Sequence, residues 1–152
     1  MIRPFRATLR ISRVFELSPA EVVVLPQLAM MAICFRLAIW FTSLPSIAGF
    51  AKRSSAGLIG SRLPLLGRRV QEARVFRIAD IAARVIKPEG QCLIRSLLVF
   101  WLLKTRGKDT QLVIGVQRNE AQINAHAWIE TTGGPIGDRP ESIAQFTELF
   151  RI

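Results

Sequence analysis

The sequence predicts an α+β fold, in which N-terminal helices and one central helix pack on a small antiparallel sheet. Apolar residues recur at helical spacing up to about residue 105, and the period then changes to the alternation that strands show. The last helix before this change, Cys92 to Thr105, is apolar on nearly every face, as expected of a helix at the centre of a fold. Helices that precede a run of strands indicate a layer of helices against an antiparallel sheet.

We expect the 152 residues to form a single domain, 1–152, because this length supports one hydrophobic core but hardly two. Residues 1–53 form its helical N-terminal part. Residues 54–67 contain three glycines and a proline, which predicts a loop. Residues 68–152 supply a further helix, the central helix and the sheet.

A helix start is predicted at Ser18, where a capping serine is followed by Pro19 at the first helical position and Glu21 at the third. This helix is expected to run to about Trp40. A second helical piece is expected to end at about Arg53.

A third helix is predicted over residues 68–86, with an arginine-rich polar side. Its apolar stripe is expected to comprise Val70, Ala73, Phe76 or Ile78, Ile81 and Val85. Three strands follow at Gln111–Gln117, Ile123–Glu130 and Pro135–Asp138, with residues 131–134 as the turn between the last two. Residues 140–152 are predicted as a last short helix, because a proline followed by a glutamate is a typical opening.

The chain carries a formal net charge of +10, and most of its 21 basic residues are arginines. Such a balance favours an acidic partner, such as an acidic peptide or protein. Nucleic acid is not expected as a partner, because the basic residues are not interleaved with aromatic residues. The two cysteines are too few for a disulfide scaffold and fit a reducing cytoplasm, and no cysteine–histidine cluster predicts a metal site.

An apolar stretch from Val22 to Phe41 has the length of a membrane span. Pro26, Gln27 and Arg36 interrupt it, so we predict a buried helix and no membrane association. The basic N-terminus followed by apolar residues also imitates a secretory signal, but no small-residue cleavage site follows cleanly. The expected location is therefore the cytoplasm.

Cys92 is a candidate nucleophile, because it begins an apolar helix. A thiolate at a helix N-terminus meets unpaired backbone amides and the positive end of the helix dipole, which lower the pKa of the thiol. The backbone amide of Cys92 could also face a developing oxyanion. The alternative is a buried structural thiol, which is the commoner role of a free cysteine and the one we assign to Cys34.

His126, the only histidine, and Asp138 complete the set of residues that a cysteine hydrolase needs. The hairpin is expected to fold around Thr132, which would set His126 and Asp138 nearly opposite each other on paired strands. A carboxylate there would hold the imidazole tautomer and stabilise the imidazolium. The alternatives are a solitary histidine on a sheet surface and an aspartate that serves only the turn.

Four residues are weaker candidates for binding substrate or a partner. Arg95, one helical turn after Cys92, could support the thiolate or bind a substrate carbonyl. Arg69 and Arg77 could dock an acidic peptide or protein. Trp128 follows the histidine on the same strand face. The alternatives are solvated charges for the arginines and a core position for Trp128.

These motifs resemble the leader peptidases of lasso-peptide biosynthesis, which are the transglutaminase-like B-proteins. The resemblance rests on CLIRSLLVFWLLKTRG, LVIGV, AHAWIE and a glycine-rich turn ending in GD, which follow one another over about residues 90–140. FRLAIWFTSLP, at residues 35–45, is similar to the helical N-terminal part of these proteins.

The resemblance implies a papain-like or transglutaminase-like fold with Cys92 as nucleophile, His126 as base and Asp138 as the orienting acid. It implies removal of the leader from a ribosomally made precursor peptide, which releases the core for a separate lasso cyclase that uses ATP. The chain is similar to the split form of the family, which acts with a separate leader-binding protein.

No cofactor is expected in the catalytic site. Some family members depend on ATP, and because this sequence has no glycine-rich phosphate loop, the resemblance leaves the ATP requirement open. Two other functions also stay open. One is acyl transfer to an amine, as in transglutaminases or arylamine acetyltransferases; the other is a non-catalytic module that binds through its basic surface or associates with a membrane.

Overall fold

The computed structural model describes residues 17–56, 67–86, 91–119 and 122–152. Its helices are α1 (Pro19–Phe41), α2 (Leu44–Ala56), a short 3-10 helix (Gly67–Arg69), α3 (Glu72–Ile86), α4 (Cys92–Lys104) and α5 (Pro140–Ile143). Its strands are β1 (Thr110–Asn119), β2 (Gln122–Thr131), β3 (Gly134–Ile136) and β4 (Thr147–Arg151). The predicted α+β class is confirmed. Residues 1–16 and most of the predicted loop at 54–67 lie outside the described residues, and α2 continues past the predicted start of that loop.

α1 begins as the sequence predicts, with Ser18 as its capping residue. The Ser18 hydroxyl accepts a hydrogen bond from the Glu21 amide at 3.4 Å, and the Glu21 carboxylate accepts one from the Ser18 amide at 2.6 Å. Glu21 is only 1% exposed and pairs with Arg74 of α3 at 2.7 Å. Because a buried carboxylate is costly unless it is paired, this contact specifies which faces of α1 and α3 meet.

Only one face of α1 is buried, so the prediction of a buried helix holds for that face alone. Val24, Leu28, Ala32 and Phe35 recur at helical spacing and enter the core. The opposite face exposes large apolar side chains, namely Val22, Val23, Met30, Ile33, Leu37, Trp40 and Phe41. Within the part of the chain that the structure describes, α1 is the one helix long and apolar enough to cross a membrane, a test that core helices and signal sequences also pass.

α3 begins at Glu72, later than the predicted start at Arg68. Arg68 and Arg69 instead form the end of the short 3-10 helix. The buried face of α3 is offset from the predicted stripe and comprises Val75, Ile78, Ala79, Ala82 and Ala83. Ala73 and Val85, both predicted to be in that stripe, are exposed. The alanines allow α3 to lie close to its neighbours α1 and α4.

α4 lies at the centre of the fold, as its apolar composition predicts. Ile94 and every residue from 96 to 103 are buried. The helix packs against α1, α2 and α3 on one side and against β1 and β2 on the other. A helix held on nearly all sides has little freedom to move, so the residue at its N-terminus is held in a defined place.

The sheet has four antiparallel strands in the order β3-β2-β1-β4. β1 pairs with β2 along its whole length, with Gly115 opposite His126. Within residues 140–152, α5 is only four residues long, and Thr147–Arg151 forms the strand β4. The prediction of a single last helix there is therefore wrong. β4 supplies hydrogen-bond partners to the edge of β1 that β2 leaves open, a nonlocal contact that outweighs a weak helical opening.

β3 is shorter than predicted and ends at Ile136, so Asp138 does not lie on a strand. The observed register centres the turn between Thr132 and Gly133, and not on Thr132. Gly137 has φ +79, a left-handed conformation that ends the extended strand. The chain bends at this glycine, and Asp138 leaves the sheet on the bend.

Candidate active site

Cys92 is the first residue of α4 and is half-buried. Its thiol lies close enough to the His126 ring, and to the backbone at Ala127 and Leu93, for each of them to lower its pKa. Burial raises the pKa of the Cys92 thiol, but the hydrogen bonds with His126, Ala127 and Leu93 together outweigh it, and the net pKa lies below the usual value. A thiolate at this position is stabilised both by the helix N-terminus and by β2.

His126 lies on β2 and is within reach of two partners. Its Nε2 lies 3.3 Å from Oδ1 of Asp138, which leaves Nδ1 as the ring nitrogen that can face the Cys92 thiol. The hydrogen bonds with Asp138 and then with Cys92 raise the pKa of His126 to about 9, although partial burial opposes this. The raised pKa of the imidazole and the lowered pKa of the thiol favour a thiolate–imidazolium pair at neutral pH.

Asp138 reaches His126 from the bend after β3. Its side chain is 14% exposed, and the Nη2 group of Arg95 lies 3.4 Å from each of its two oxygens. The carboxylate is therefore held between an imidazole and a guanidinium. The predicted proximity of His126 and Asp138 is present. β2 and β3 pair as predicted, but Asp138 lies beyond the end of β3 and therefore not opposite His126 on a paired strand.

Aromatic rings lie beside His126 on the sheet. Its ring centroid is 6.1 Å from that of Trp128, nearly parallel to it, and 5.3 Å from that of Phe146. Trp128 is 4% exposed, and its indole N–H donates a hydrogen bond to Glu130 at 2.9 Å. Glu130 in turn accepts a hydrogen bond from Arg151 of β4 at 2.6 Å. Trp128 thus lies in the core next to the imidazole and is fixed there by the C-terminal strand.

The other candidates from the sequence lie in different surroundings. Arg95 contacts Asp138, and its side chain is only 13% exposed, so it does not present a free guanidinium to a substrate carbonyl. Arg69 is exposed in the 3-10 helix and Arg77 is half-buried on α3, and their predicted binding roles stay predictions. Cys34 is exposed, which corrects its assignment as a buried thiol, since it lies on the solvent-facing side of α1.

Sequence reasoning missed three side chains that support the site. Ser96 bonds α4 to β2, while Phe76 and Asp80 of α3 both contact Arg95. No local pattern marks these residues, because each acts through a partner far along the chain. Among the described residues, no group of three histidine, cysteine or acidic side chains is arranged to hold a metal ion.

The comparisons with known proteins give one match. A family model described as the transglutaminase-like superfamily matches residues 29–151. This range includes most of α1, the whole of α4 and the sheet, and all three residues of the Cys92–His126–Asp138 cluster. Neither the curated proteins nor the solved structures contain a significant match to this chain.

Proposed function

The chain belongs to the transglutaminase-like superfamily, and from that premise we propose that it is a cysteine peptidase with Cys92 as nucleophile, His126 as base and Asp138 as the orienting acid. The observation that carries the proposal is that the His126 imidazole lies 3.3 Å from the Asp138 carboxylate and also lowers the pKa of the Cys92 thiol. A Cys–His–acid chain of this kind is the arrangement that activates a sulfur nucleophile.

In the proposed reaction, the Cys92 thiolate attacks the scissile carbonyl carbon and forms a tetrahedral oxyanion. Backbone N–H groups at the N-terminus of α4, with that of Cys92 among them, would donate hydrogen bonds to that negative charge. The His126 imidazolium then gives its proton to the departing amine, which leaves an acyl-enzyme thioester. Neutral His126 next takes a proton from a water molecule, and the resulting hydroxide attacks the thioester, which releases the acid and restores the Cys92 thiolate beside the His126 imidazolium.

We further propose that the substrate is a lasso-peptide precursor, from which the enzyme removes the leader. This step rests on the resemblance carried by CLIRSLLVFWLLKTRG and AHAWIE, in which Cys92 and His126 occur. The expected partners are the precursor, a separate leader-binding protein and a lasso cyclase, and the expected location is the cytoplasm. The net charge of +10 suits an acidic partner, with Arg69 and Arg77 as candidates for docking it.

The decisive experiment incubates the purified chain with a precursor peptide and the leader-binding protein, and follows the products by mass spectrometry. The wild-type protein should release a leader and a core. Cys92→Ala should abolish cleavage and Cys34→Ala should leave it unchanged, because the two substitutions remove the same group from the site and from an exposed helix face. Cleavage by Cys92→Ala would contradict the catalytic assignment.

The same assay separates hydrolysis from acyl transfer, the alternative reaction in this superfamily. In water enriched in ¹⁸O, hydrolysis places one heavy oxygen in the new carboxylate of the leader. Transfer to an added primary amine instead gives an amide without that label. A product that is mostly amide would replace the peptidase proposal with a transferase, while Cys92, His126 and Asp138 would keep their roles in forming the acyl-enzyme.

A further inference from the structure

Arg95 lies at the junction of two helices and the bend that carries Asp138. Its Nη2 group is 3.4 Å from both oxygens of Asp138, and its Nη1 group is 3.7 Å from Oδ1 of Asp80. Its guanidinium carbon lies 4.4 Å from the centroid of the Phe76 ring. Asp80 and Phe76 are four residues apart on α3, so they lie on one face of that helix and meet Arg95 together.

Phe76 also contacts the bend itself. A Cβ atom added to Gly137 would overlap the Phe76 ring, so the backbone immediately before Asp138 is packed directly against that ring. The left-handed φ of Gly137 lets the chain turn at this point without a side chain in the way. One aromatic ring therefore contacts both the guanidinium and the bend.

We propose that Arg95 is a positioning residue for the reaction: held by Asp80 and Phe76 of α3, its guanidinium fixes the Asp138 carboxylate against His126. The role of Arg95 in catalysis rests on the proposed function. Its contacts with Asp138 and its effect on the Cys92 thiol do not depend on the identity of the substrate. The side chains of Arg95, Asp138 and Asp80 are 13%, 14% and 18% exposed, so solvent screens these contacts less than it would on the surface.

The arrangement gives α3 a part in catalysis, which it exerts through Arg95 and Asp138. A planar guanidinium presents its N–H groups in a fixed fork, which a lysine ammonium cannot reproduce. Without the Arg95 guanidinium, the Asp138 carboxylate on the bend would keep His126 as a partner but lose its contact with Arg95. The imidazole would then spend less time hydrogen-bonded to the carboxylate, and the thiolate–imidazolium pair would be less stable.

The test measures the rate at which iodoacetamide alkylates Cys92 as a function of pH, in a Cys34→Ala background, beside the cleavage assay. In Arg95→Met, the pH at which alkylation becomes rapid should move upward, and kcat should fall about 10- to 100-fold. For Arg95→Lys, both the alkylation profile and kcat should lie between those of Arg95→Met and those of the wild type. Arg84→Met is the matched control, because Arg84 pairs with the other oxygen of Asp80 at 2.8 Å and its side chain is 56% exposed. Its kcat and its alkylation rate should stay within about twofold of the wild-type values.

Additivity decides whether Arg95 acts through Asp138. In an Asp138→Asn background, Arg95→Met should add less than about a twofold further loss, since the group that it positions is already changed. If Arg95→Met does not fold, Asp80→Asn, which removes one anchor of the guanidinium, should shift the alkylation profile in the same direction by a smaller amount.

A folded Arg95→Met with an unchanged alkylation profile would overturn the inference, and so would full additivity with Asp138→Asn. These results differ from failure of the proposed function. If the wild-type protein cleaves no peptide, the alkylation profile still reports whether Arg95 controls the thiolate, because iodoacetamide needs no substrate site.

Discussion

Ser96 and Ala127 join the helix that bears the nucleophile to the strand that bears the base. The buried Ser96 hydroxyl donates a hydrogen bond to the backbone carbonyl of Ala127 at 2.8 Å. Ser96 lies about one turn after Cys92 on α4, and Ala127 directly follows His126 on β2. The backbone of the same Ala127 also lowers the pKa of the Cys92 thiol. One peptide segment of β2 is therefore bound to α4 by Ser96 and acts on the reacting sulfur as well.

Replacement of Ser96 should weaken both the fold and the site. Ser96→Ala removes the donor from a buried contact, so the free energy of unfolding should fall by about 1 kcal/mol. The alkylation rate of Cys92 at neutral pH should fall as well, because α4 is no longer bound to β2 beside the sulfur. Urea unfolding and iodoacetamide kinetics measure the two effects.

The control for this substitution is Ser46→Ala on α2, where the serine hydroxyl is exposed and bonds only to another exposed serine. It should change the free energy of unfolding by less than about 0.5 kcal/mol and leave the alkylation rate unchanged. Equal effects of Ser96→Ala and Ser46→Ala would mean that the bond to Ala127 does not hold the helix in place.

The pH dependence of cleavage should be bell-shaped, with its two limits set by Cys92 and His126. On the acid side, activity is lost as the thiolate takes up a proton, and the lowered pKa of Cys92 keeps this limit below the ordinary titration of a thiol. On the alkaline side, activity is lost as the imidazolium, whose pKa is raised to about 9, gives up the proton that the leaving amine needs. Because the two groups are hydrogen-bonded, the measured values belong to the pair.

Asp138→Asn tests the cause of the alkaline limit. The hydrogen bond with Asp138 is the largest contribution to the raised pKa of His126, so an amide at that position should bring the alkaline limit down toward the ordinary pKa of histidine. The values of kcat/KM should be measured over about pH 5 to 10 in both proteins. An alkaline limit that is the same in Asp138→Asn and in the wild type would show that Asp138 does not govern His126.

The sequence predicts the starts of α1 and α4 well, because both depend on local signals. The capping pattern at Ser18 marks the start of α1, and the uniformly apolar composition of α4 marks it as central. The position of Cys92 at the first residue of α4 can be read directly from the predicted start of that helix. The local pattern does not reveal which face of α1 is covered, because an all-round apolar helix offers no contrast between faces.

Contacts that connect distant segments could not be predicted in the same way. β4 forms because it pairs with the open edge of β1, and no local pattern in the sequence of β4 indicates that pairing. The position of Asp138 depends on the bend at Gly137, which has a left-handed conformation and packs against Phe76 far away on α3. The proximity of His126 and Asp138 was predicted from a hairpin register that does not occur, and the bend at Gly137 brings them together by a different route.

Gly115 is expected to tolerate no side chain, because it faces the aromatic residues beside His126. A Cβ atom there would lie 2.9 Å from the Trp128 ring, 3.0 Å from the Cβ of Phe146 and 3.0 Å from the backbone oxygen of Thr147. Since a backbone atom is among the close neighbours, β4 itself must move. Gly115→Ala should lower the free energy of unfolding by about 1–3 kcal/mol and reduce cleavage.

Gly49→Ala on α2 is the control for Gly115→Ala. Its added Cβ would have only the end of the Arg53 side chain nearby, at 3.8 Å, and alanine favours a helix over glycine. Its melting temperature should therefore equal or exceed that of the wild type. If Gly115→Ala melts no lower than Gly49→Ala, the packing between β1 and β4 is looser than the distances indicate.

Gly137→Ala should separate two costs that act at the bend before Asp138. The left-handed φ of +79 costs a residue with a side chain about 1–2 kcal/mol, and the contact of the new methyl group with the Phe76 ring adds to that cost. Gly107→Ala measures the first cost alone, because Gly107 has φ +72 and no atom within 4 Å of the added Cβ. Gly137→Ala should therefore unfold at lower urea than Gly107→Ala.

Their effects on the site should differ more than their effects on stability. Gly107 follows α4 at the end far from Cys92, so Gly107→Ala should leave the alkaline limit of cleavage where it is in the wild type. Gly137→Ala forces the bend away from Phe76 and moves Asp138 from His126, so the limit should fall as it does in Asp138→Asn. If both alanine variants kept the wild-type limit, the bend would not determine where the carboxylate lies, and the contact between Asp138 and His126 would have to be maintained by Arg95 alone.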